Sequence, residues 1–386
     1  MLVAAVVAAL IAYDQPKDEA ATLPADYWHQ PLAPQGDAPE HWSELEKSLT
    51  PESCGTCHTD KYEEWRTTLH AKAMSPGLVG QLLTMNEAGA ASCMNCHAPL
   101  AEQKQAFEEA RARGDAHTAS GQKLAAAGNS CAACHVRGNR RHGPPQLETG
   151  ETGQSDPDNP HGGVFRTADF EGPEFCGSCH QFPQEWAING KPMQNTVAEW
   201  RTSPQAMEGI GCQSCHMPDR KHLWRGIHDR DMVESGLTAT FDATKDQARF
   251  TLTNSGVGHA FPTYVTPKVV MHAVALDADG EPVPGAEASH LIQRVVSFVG
   301  GQWVESLDSR LMPGQSAALK LAWGDSDKVK MWLAVHPDDF YDHKVYDQLI
   351  QQGRPESSAT RLIVEADKLA QESRFRLFET VLQRPE

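Results

Sequence analysis

The last third of the chain alternates between hydrophobic and polar residues, which is typical of β-strands. Phe250 and Leu252 stand between polar neighbours, and the same period recurs at 329–335, where every second residue is valine, methionine or leucine. Turn-forming sequences separate such runs, at 277–280, 300–301 and 313–314. This pattern predicts an immunoglobulin-like β-sandwich of roughly seven to nine short strands.

The first 235 residues show no such period. Helical spacing is limited to 100–113, where Gly114 is expected to end the helix, and to 122–127. A long stretch at 143–172 is rich in Gly, Pro and Asp, which predicts a loop. The expected fold is therefore α+β with little regular structure in its first part. The predicted divisions are a signal or anchor remnant at 1–15, an extended strap at 16–50, a domain of short helices and loops at 51–235, and the β-sandwich at 236–386.

Five copies of Cys-x-x-Cys-His lie in the part without regular structure, and they use all ten cysteines of the chain. We number them motif 1 (54–58), motif 2 (93–97), motif 3 (131–135), motif 4 (176–180) and motif 5 (212–216). In this signature the two thiols bond covalently to a haem, and the histidine becomes its proximal iron ligand. Five cysteine pairs cannot be grouped into four-sulfur zinc sites, and a disulfide framework would not require the histidines.

The sequence therefore predicts five haem c groups. The cysteines expected to form thioether bonds are Cys54, Cys57, Cys93, Cys96, Cys131, Cys134, Cys176, Cys179, Cys212 and Cys215. The expected proximal ligands are His58, His97, His135, His180 and His216.

Composition and charge indicate in which compartment the protein acts and which kinds of partner it can bind. The formal net charge of −17 argues against binding to nucleic acid and favours basic partners. Haem is attached through thioethers outside the cytoplasm, so export is expected. The apolar run at 2–12 fits the core of a signal peptide and is too short to span a bilayer, but no Lys or Arg precedes it. We predict an exported protein, periplasmic or at the cell surface, and leave membrane anchoring open.

The second axial ligand decides whether a haem carries electrons or binds substrate. Thirteen of the 18 histidines are not proximal ligands, and five of these have a suitable context. Two glycines follow His161, which allows the backbone to approach a flat macrocycle, and His259 lies in the loop that closes the first clear β-strand. The candidate distal ligands are His70, His161, His222, His228 and His259. His142 and His117 are weaker candidates.

A short internal repeat bears on this question. The sequence at 64–68, Glu-Trp-Arg-Thr-Thr, recurs at 199–203 as Glu-Trp-Arg-Thr-Ser. His70 follows the first copy, whereas Gln205 stands at the same distance after the second. The second copy therefore predicts either ligation by Met207 or an open iron.

Several of these segments resemble known proteins. Motif 1 with Tyr62, Trp65 and the pair His70-Ala71 is similar to the repeat of multihaem cytochromes c related to the tetrahaem electron acceptor of hydroxylamine oxidoreductase. The sequences around motifs 2 to 5, and Gly-His-Ala-Phe-Pro at 258–262, resemble exported multihaem cytochromes with a C-terminal β-domain. The resemblance implies stacked haem pairs and supports His70 and His259 as distal ligands. That tetrahaem protein has four motifs, so its haem geometry cannot be transferred to this chain.

Three hypotheses follow. The sequence favours an electron carrier with mostly two-histidine haems, whose partners are donor and acceptor cytochromes or a membrane quinol-oxidising complex. An alternative is a multihaem oxidoreductase with one open haem that acts on a small nitrogen or sulfur compound. The absence of Cys-x-x-Cys-Lys removes the lysine-ligated haem of pentahaem nitrite reductases from this alternative. A third is a subunit of a homo-oligomer, such as an extracellular haem filament, or of a surface complex.

Overall fold

The structure is a computed structural model, which describes residues 21–114, 123–154, 156 and 158–386. The predicted signal or anchor remnant at 1–15 and the weak candidate His117 lie outside the described residues. None of the described helices is both long enough and apolar enough to cross a membrane.

Short helices dominate the region that contains the motifs. The helices of the described chain are α1 (Glu44–Lys47), α2 (Pro51–Gly55), α3 (Thr59–Trp65), α4 (Pro76–Leu82), α5 (Glu87–His97), α6 (Ala101–Arg113), α7 (Cys131–His135), α8 (Pro173–His180), α9 (Thr196–Arg201), α10 (Pro204–Met207), α11 (Cys212–His216), α12 (Arg230–Ser235), α13 (Asp347–Gln352) and α14 (Ser358–Glu372). Single 3-10 turns lie at Pro160–Gly162, Ala168–Glu171, Gln184–Trp186 and Pro218–Arg220, and a π-helical turn lies at Tyr341–Tyr346.

The strands fall into short pairings near the motifs and longer sheets in the last third. They are β1 (Val136–Arg137), β2 (Arg140–Gly143), β3 (Gly153–Gln154), β4 (Val164–Arg166), β5 (Ala187–Ile188), β6 (Lys191–Pro192), β7 (Leu237–Ala243), β8 (Gln247–Asn254), β9 (Lys268–Leu276), β10 (Pro282–Ile292), β11 (Arg294–Val299), β12 (Gln302–Asp308), β13 (Ser316–Ala322), β14 (Lys328–His336) and β15 (Phe375–Gln383). The sheet orders are β1-β2-β4-β3, β5-β6, β10-β9-β14-β15, β13-β8-β7 and β11-β12.

Two antiparallel sheets enclose the main hydrophobic core. Phe250 and Leu252 of β8 and Met331 and Leu333 of β14 are each fully buried in one cluster, because alternate residues of these strands face the opposite sheet. The sequence-predicted strands around 250 and 329–335 are thus present as β8 and β14. Nine strands lie between residues 237 and 383, within the predicted number. The finer assignment to an immunoglobulin-like sandwich stays a prediction.

The region of the motifs contains more helix than the sequence pattern predicted. Helix α6 matches the predicted helix and ends at Gly114, whose φ of 78° is the left-handed conformation that glycine adopts without strain. In contrast, 123–126 is a turn in the described part of the predicted helix at 122–127. The helices missed by the pattern are mostly four to eight residues long, too short to show a hydrophobic period.

The last third of the chain packs closely against the motif region. Ile363 of α14 lies against Gly80 of α4, where an added Cβ would stand 2.8 Å from the isoleucine side chain. Arg294, fully buried at the start of β11, donates to the carbonyl oxygens of Ile188, Lys191 and Pro192 in the β5–β6 hairpin. Buried contacts therefore join residues before and after the predicted domain boundary at residue 235.

Candidate haem-binding site

Motifs 2 to 5 each end at the C-terminus of a short helix, and motif 1 spans the end of α2 and the turn after it. Local sequence explains the helices. Asn86 caps α5 and Ser130 caps α7, each by accepting from a backbone N–H, and Pro173 occupies the first turn of α8. Cysteines three apart then share one helix face, with the histidine beside them. All ten thiols are free of disulfide bonds, so the donor set fits covalent attachment of haem.

Three proximal histidines are oriented by a backbone carbonyl. Their Nδ1 atoms contact the carbonyl oxygens of Ala73, His142 and Arg225, at 3.1 Å from His97, 2.8 Å from His135 and 2.7 Å from His216. A carbonyl oxygen only accepts, so Nδ1 carries the hydrogen and the lone pair of Nε2 is available for a metal. For His180, the amide nitrogen of Gln194 lies 2.8 Å from Nδ1 and donates to it, so this ring is not oriented by a carbonyl oxygen as the other three are.

Three pairs of imidazole rings face each other across similar gaps. The ring centres are 6.1 Å apart for His70 and His180, 6.2 Å for His135 and His222, and 6.4 Å for His216 and His259. A metal–nitrogen bond is about 2 Å and a ring nitrogen lies about 1 Å from its ring centre, so two imidazoles on one iron have centres about 6 Å apart. Each pair is therefore spaced for a single iron between a proximal and a distal histidine.

The distal members of these pairs are in the right protonation state. Burial lowers the pKa of His70 to about 3 and that of His222 and His259 to about 4, with desolvation as the largest cause. All three are therefore neutral at pH 7, as a metal ligand must be. The Nδ1 atoms of His222 and His259 also contact backbone carbonyls, those of Arg220 and Ala260, which again leaves Nε2 available.

His161 lies near motif 1. It has a φ of 47° in the turn Pro160–Gly162, and its ring interacts electrostatically with His58. Its backbone N–H donates to Glu46 at 2.9 Å, and this bond is the largest cause that lowers the pKa of the Glu46 carboxyl to about 2. The structure thus brings His161 towards motif 1, without a ring contact of the kind seen in the three pairs.

Two other predicted candidates have different surroundings. His228 Nε2 lies 2.8 Å from a carboxylate oxygen of Asp338, so the structure ties this ring to a carboxylate rather than to one of the motifs. His142 offers its backbone carbonyl to His135 while its ring packs against Tyr27 and Phe165. Its role in this structure is thus to orient a proximal histidine.

Two proximal histidines, His58 of motif 1 and His97 of motif 2, lie outside the three pairs. Among the described residues, no histidine ring stands opposite either of them in the manner of those pairs. Two partly buried phenols interact electrostatically with cysteines of motif 2: Tyr264 with Cys96 and Cys93, and Tyr341 with Cys93. Burial, the largest cause, raises the pKa of both phenols, so they are neutral hydrogen-bond donors.

Cysteines of different motifs lie close enough to shift the pKa of one another's thiols. Cys131 lowers the pKa of the Cys54 thiol, Cys179 that of Cys96 and Cys176 that of Cys212, which places motifs 1 and 3, 2 and 4, and 4 and 5 next to one another. Cys134 of motif 3 also interacts electrostatically with both cysteines of motif 4. The five motifs therefore form one contiguous array in which motif 4 adjoins three others.

A loop of the β-region contacts the second internal repeat. Gly258 packs on Trp200 and Gln205, and an added Cβ there would lie 3.3 Å from each. This contact brings His259 opposite His216, with the two ring planes only 8° apart. Met207, in contrast, is 79% exposed. Met207 is thus at the surface, while the choice between a ligated and an open iron after the second repeat stays a prediction.

Two comparisons with known proteins relate the chain to multihaem cytochromes c. Residues 53–135, which contain motifs 1 to 3, match the family model of cytochrome c554 and c-prime. The fold is similar to the crystal structure of a penta-haem cytochrome c552 from Thermochromatium tepidum, with a TM-score of 0.61 and 17% identity, over 88% of this chain and 100% of that chain. No curated protein matches the chain. With the five motifs, these findings support a multihaem cytochrome c, while a closer relation to the acceptor of hydroxylamine oxidoreductase stays a prediction.

Proposed function

We propose that this protein transfers electrons through five covalently bound c-type haems, most of them held by two histidines, between redox partners outside the cytoplasm. The observation that carries the proposal is the set of three imidazole pairs with ring centres 6.1 to 6.4 Å apart. A bound haem supplies a reversible one-electron iron couple. Two histidines at one iron leave no axial position for a substrate, which favours a carrier over an enzyme.

The contacts between motifs support the same function. Every motif has a cysteine that perturbs a cysteine of another motif, and motif 4 is linked in this way to motifs 2, 3 and 5. The chain therefore holds its five attachment sites next to one another rather than in separate lobes. Such an array suits the exchange of electrons between distant points of the surface.

Partners and location follow from charge and from the site of haem attachment. The net charge of −17 favours association with basic surfaces of donor and acceptor cytochromes or of a quinol-oxidising complex. Because thioether attachment takes place after export, we place the protein in the periplasm or at the cell surface. Membrane anchoring and assembly into a homo-oligomer or filament remain hypotheses from the sequence.

A redox titration tests this function. Stepwise reduction of the purified protein is expected to take up five electrons per chain, one for each motif, and stepwise oxidation should return them without loss. The α-band absorbance reports the reduced fraction at each step. Uptake of fewer than five electrons, or reduction that a chemical oxidant does not reverse, would contradict the proposal.

A second candidate function is favoured by the surroundings of His97. An oxidoreductase acting on a small nitrogen or sulfur compound needs one iron with an open axial position. The absence of a facing histidine among the described residues, together with two neutral phenols near the cysteines of motif 2, fits such a position. The phenols would donate hydrogen bonds to an oxygen or nitrogen atom of the bound compound.

Carbon monoxide binding separates the two functions. If motif 2 holds an open iron, the reduced wild-type protein is expected to bind one CO per chain. Tyr264→Phe removes a phenolic donor but keeps the ring, so it should speed the dissociation of nitrite or cyanide from the oxidised protein. Binding of no CO at all by the wild type would exclude the oxidoreductase and leave the electron carrier.

A further inference from the structure

The two copies of the internal repeat make the same pair of hydrogen bonds. In the first copy, the Trp65 indole donates to the carbonyl oxygen of Asn129 at 2.7 Å. In the second, the Trp200 indole donates to that of Ile210 at 3.0 Å. Each acceptor stands two residues before the first cysteine of a motif, motif 3 for Asn129 and motif 5 for Ile210. The tryptophan of each copy therefore fixes the start of one motif.

The glutamate next to each tryptophan holds the distal side of that same motif. Glu64 accepts from the backbone N–H of His222 at 2.8 Å, and His222 faces His135 of motif 3. Glu199 accepts from the backbone N–H of Ala260 at 3.2 Å, and the preceding His259 faces His216 of motif 5. Thus one Glu-Trp pair contacts both sides of each two-histidine site.

Buried charged groups hold Glu199 of the second Glu-Trp pair in place. Glu199 is 5% exposed, and it also accepts from the Thr263 hydroxyl at 3.2 Å and from Arg310 at 3.0 Å. Arg310 in turn donates two bonds to Asp308 and one to the carbonyl oxygen of Thr263. Hydrogen bonds to ionised groups are the stronger ones, and here they tie the loop of His259 to helix α9.

We propose that the Glu-Trp pairs at 64–65 and 199–200 are positioning brackets, each setting the gap between the proximal and distal histidines of one haem. This proposal rests on the two-histidine ligation proposed above. The glutamate and the tryptophan are neighbours on one short helix, so the distance between the two segments they hold is fixed by local backbone geometry. The sequence is repeated because each copy positions the two histidines of one haem, although the two distal histidines come from unrelated segments.

The test combines each glutamate variant with removal of the distal histidine that the glutamate holds and, separately, with removal of the other distal histidine. Glu199→Gln keeps the shape of the side chain but removes the charge, so CO should displace His259 from the reduced iron about 10- to 100-fold faster than in the wild type. In a His259→Ala background the same change should add nothing, whereas in a His222→Ala background it should act in full. Glu64→Gln is expected to show the opposite dependence. Added imidazole should restore the low-spin spectrum in every variant.

Matched controls separate positioning from general destabilisation. Glu208→Gln changes an exposed carboxylate beyond α10 and is expected to leave CO binding unchanged. If Glu199→Gln does not assemble with five haems, Trp200→Phe tests the proposal in its place, because this change removes the indole donor and keeps an aromatic ring. Its control is Trp332→Phe, on the outer face of β14.

Three outcomes decide the matter. Acceleration limited to the haem of the bracket concerned supports the proposal. Wild-type CO kinetics in both Glu199→Gln and Trp200→Phe, or equal effects in both histidine backgrounds, would overturn it. If His259→Ala itself produces no high-spin iron, the two-histidine ligation of motif 5 fails instead, which is a failure of the proposed function rather than of the brackets.

Discussion

Replacing His222 with alanine is expected to convert one of the five haem irons from low-spin to high-spin. The reason is that His222 faces His135 at a ring distance of 6.2 Å, and its removal leaves that iron with a single strong axial ligand. His70→Ala and His259→Ala should each do the same at a different motif, and the three changes should add. The measurement is the high-spin signal in the EPR spectrum of the oxidised protein, together with the CO bound per chain after reduction.

His228→Ala is the matched control for this series. The sequence marks His228 as a candidate in the same segment as His222, but its ring contacts Asp338 in the structure. We expect the number of high-spin irons to remain that of the wild type. A new high-spin iron in His228→Ala, or none in His222→Ala, would contradict the pairing of histidines described above.

Gly128→Ala is expected to have a comparable effect without touching a ligand. Gly128 has a φ of 57°, and an added Cβ would lie 2.4 Å from the carbonyl oxygen of His70 and 2.9 Å from the backbone nitrogen of Ala73. Both contacts are backbone, so the loop of His70 must move away. We expect loss of His70 from the iron of motif 4, seen as one new high-spin iron, and a lower midpoint of urea unfolding.

Gly138→Ala provides the control for this change. Gly138 has nearly the same φ, 55°, but nothing lies within 4 Å of the added Cβ. Alanine there carries the left-handed backbone cost of about 1–2 kcal/mol without displacing a neighbour. It should lower stability while leaving the spectrum unchanged. Equal spectra for the two glycine variants would mean that the close approach at Gly128 does not position His70.

The sequence predicted the attachment sites but not the pairing of their ligands. The cysteines and proximal histidines follow from a local motif, whereas His70 meets His180, a residue 110 positions away along the chain. Such a contact depends on how the short helices pack, which no local spacing encodes. His259 was a candidate because it lies in the loop after the first clear β-strand, but the sequence did not indicate which proximal histidine it faces.

The same limit applies to the fold. Alternation along β8 and β14 revealed the β-region, because one face of each strand is buried against the other sheet. Helices such as α7 and α11 have only five residues each and contain a motif rather than a hydrophobic stripe, so the hydrophobic pattern did not predict them. The repeat at 64–65 and 199–200 was visible in the sequence, but the bonds made by its glutamates required the tertiary structure.

The most direct test of the account is a spin count on the oxidised wild-type protein with its haem content determined on the same sample. We predict five haems per chain, of which at least three are low-spin with two histidine ligands and at most two, those of motifs 1 and 2, are high-spin. Fewer than five covalently bound haems, or three or more high-spin irons, would contradict the central claim that paired histidines make this chain an electron carrier.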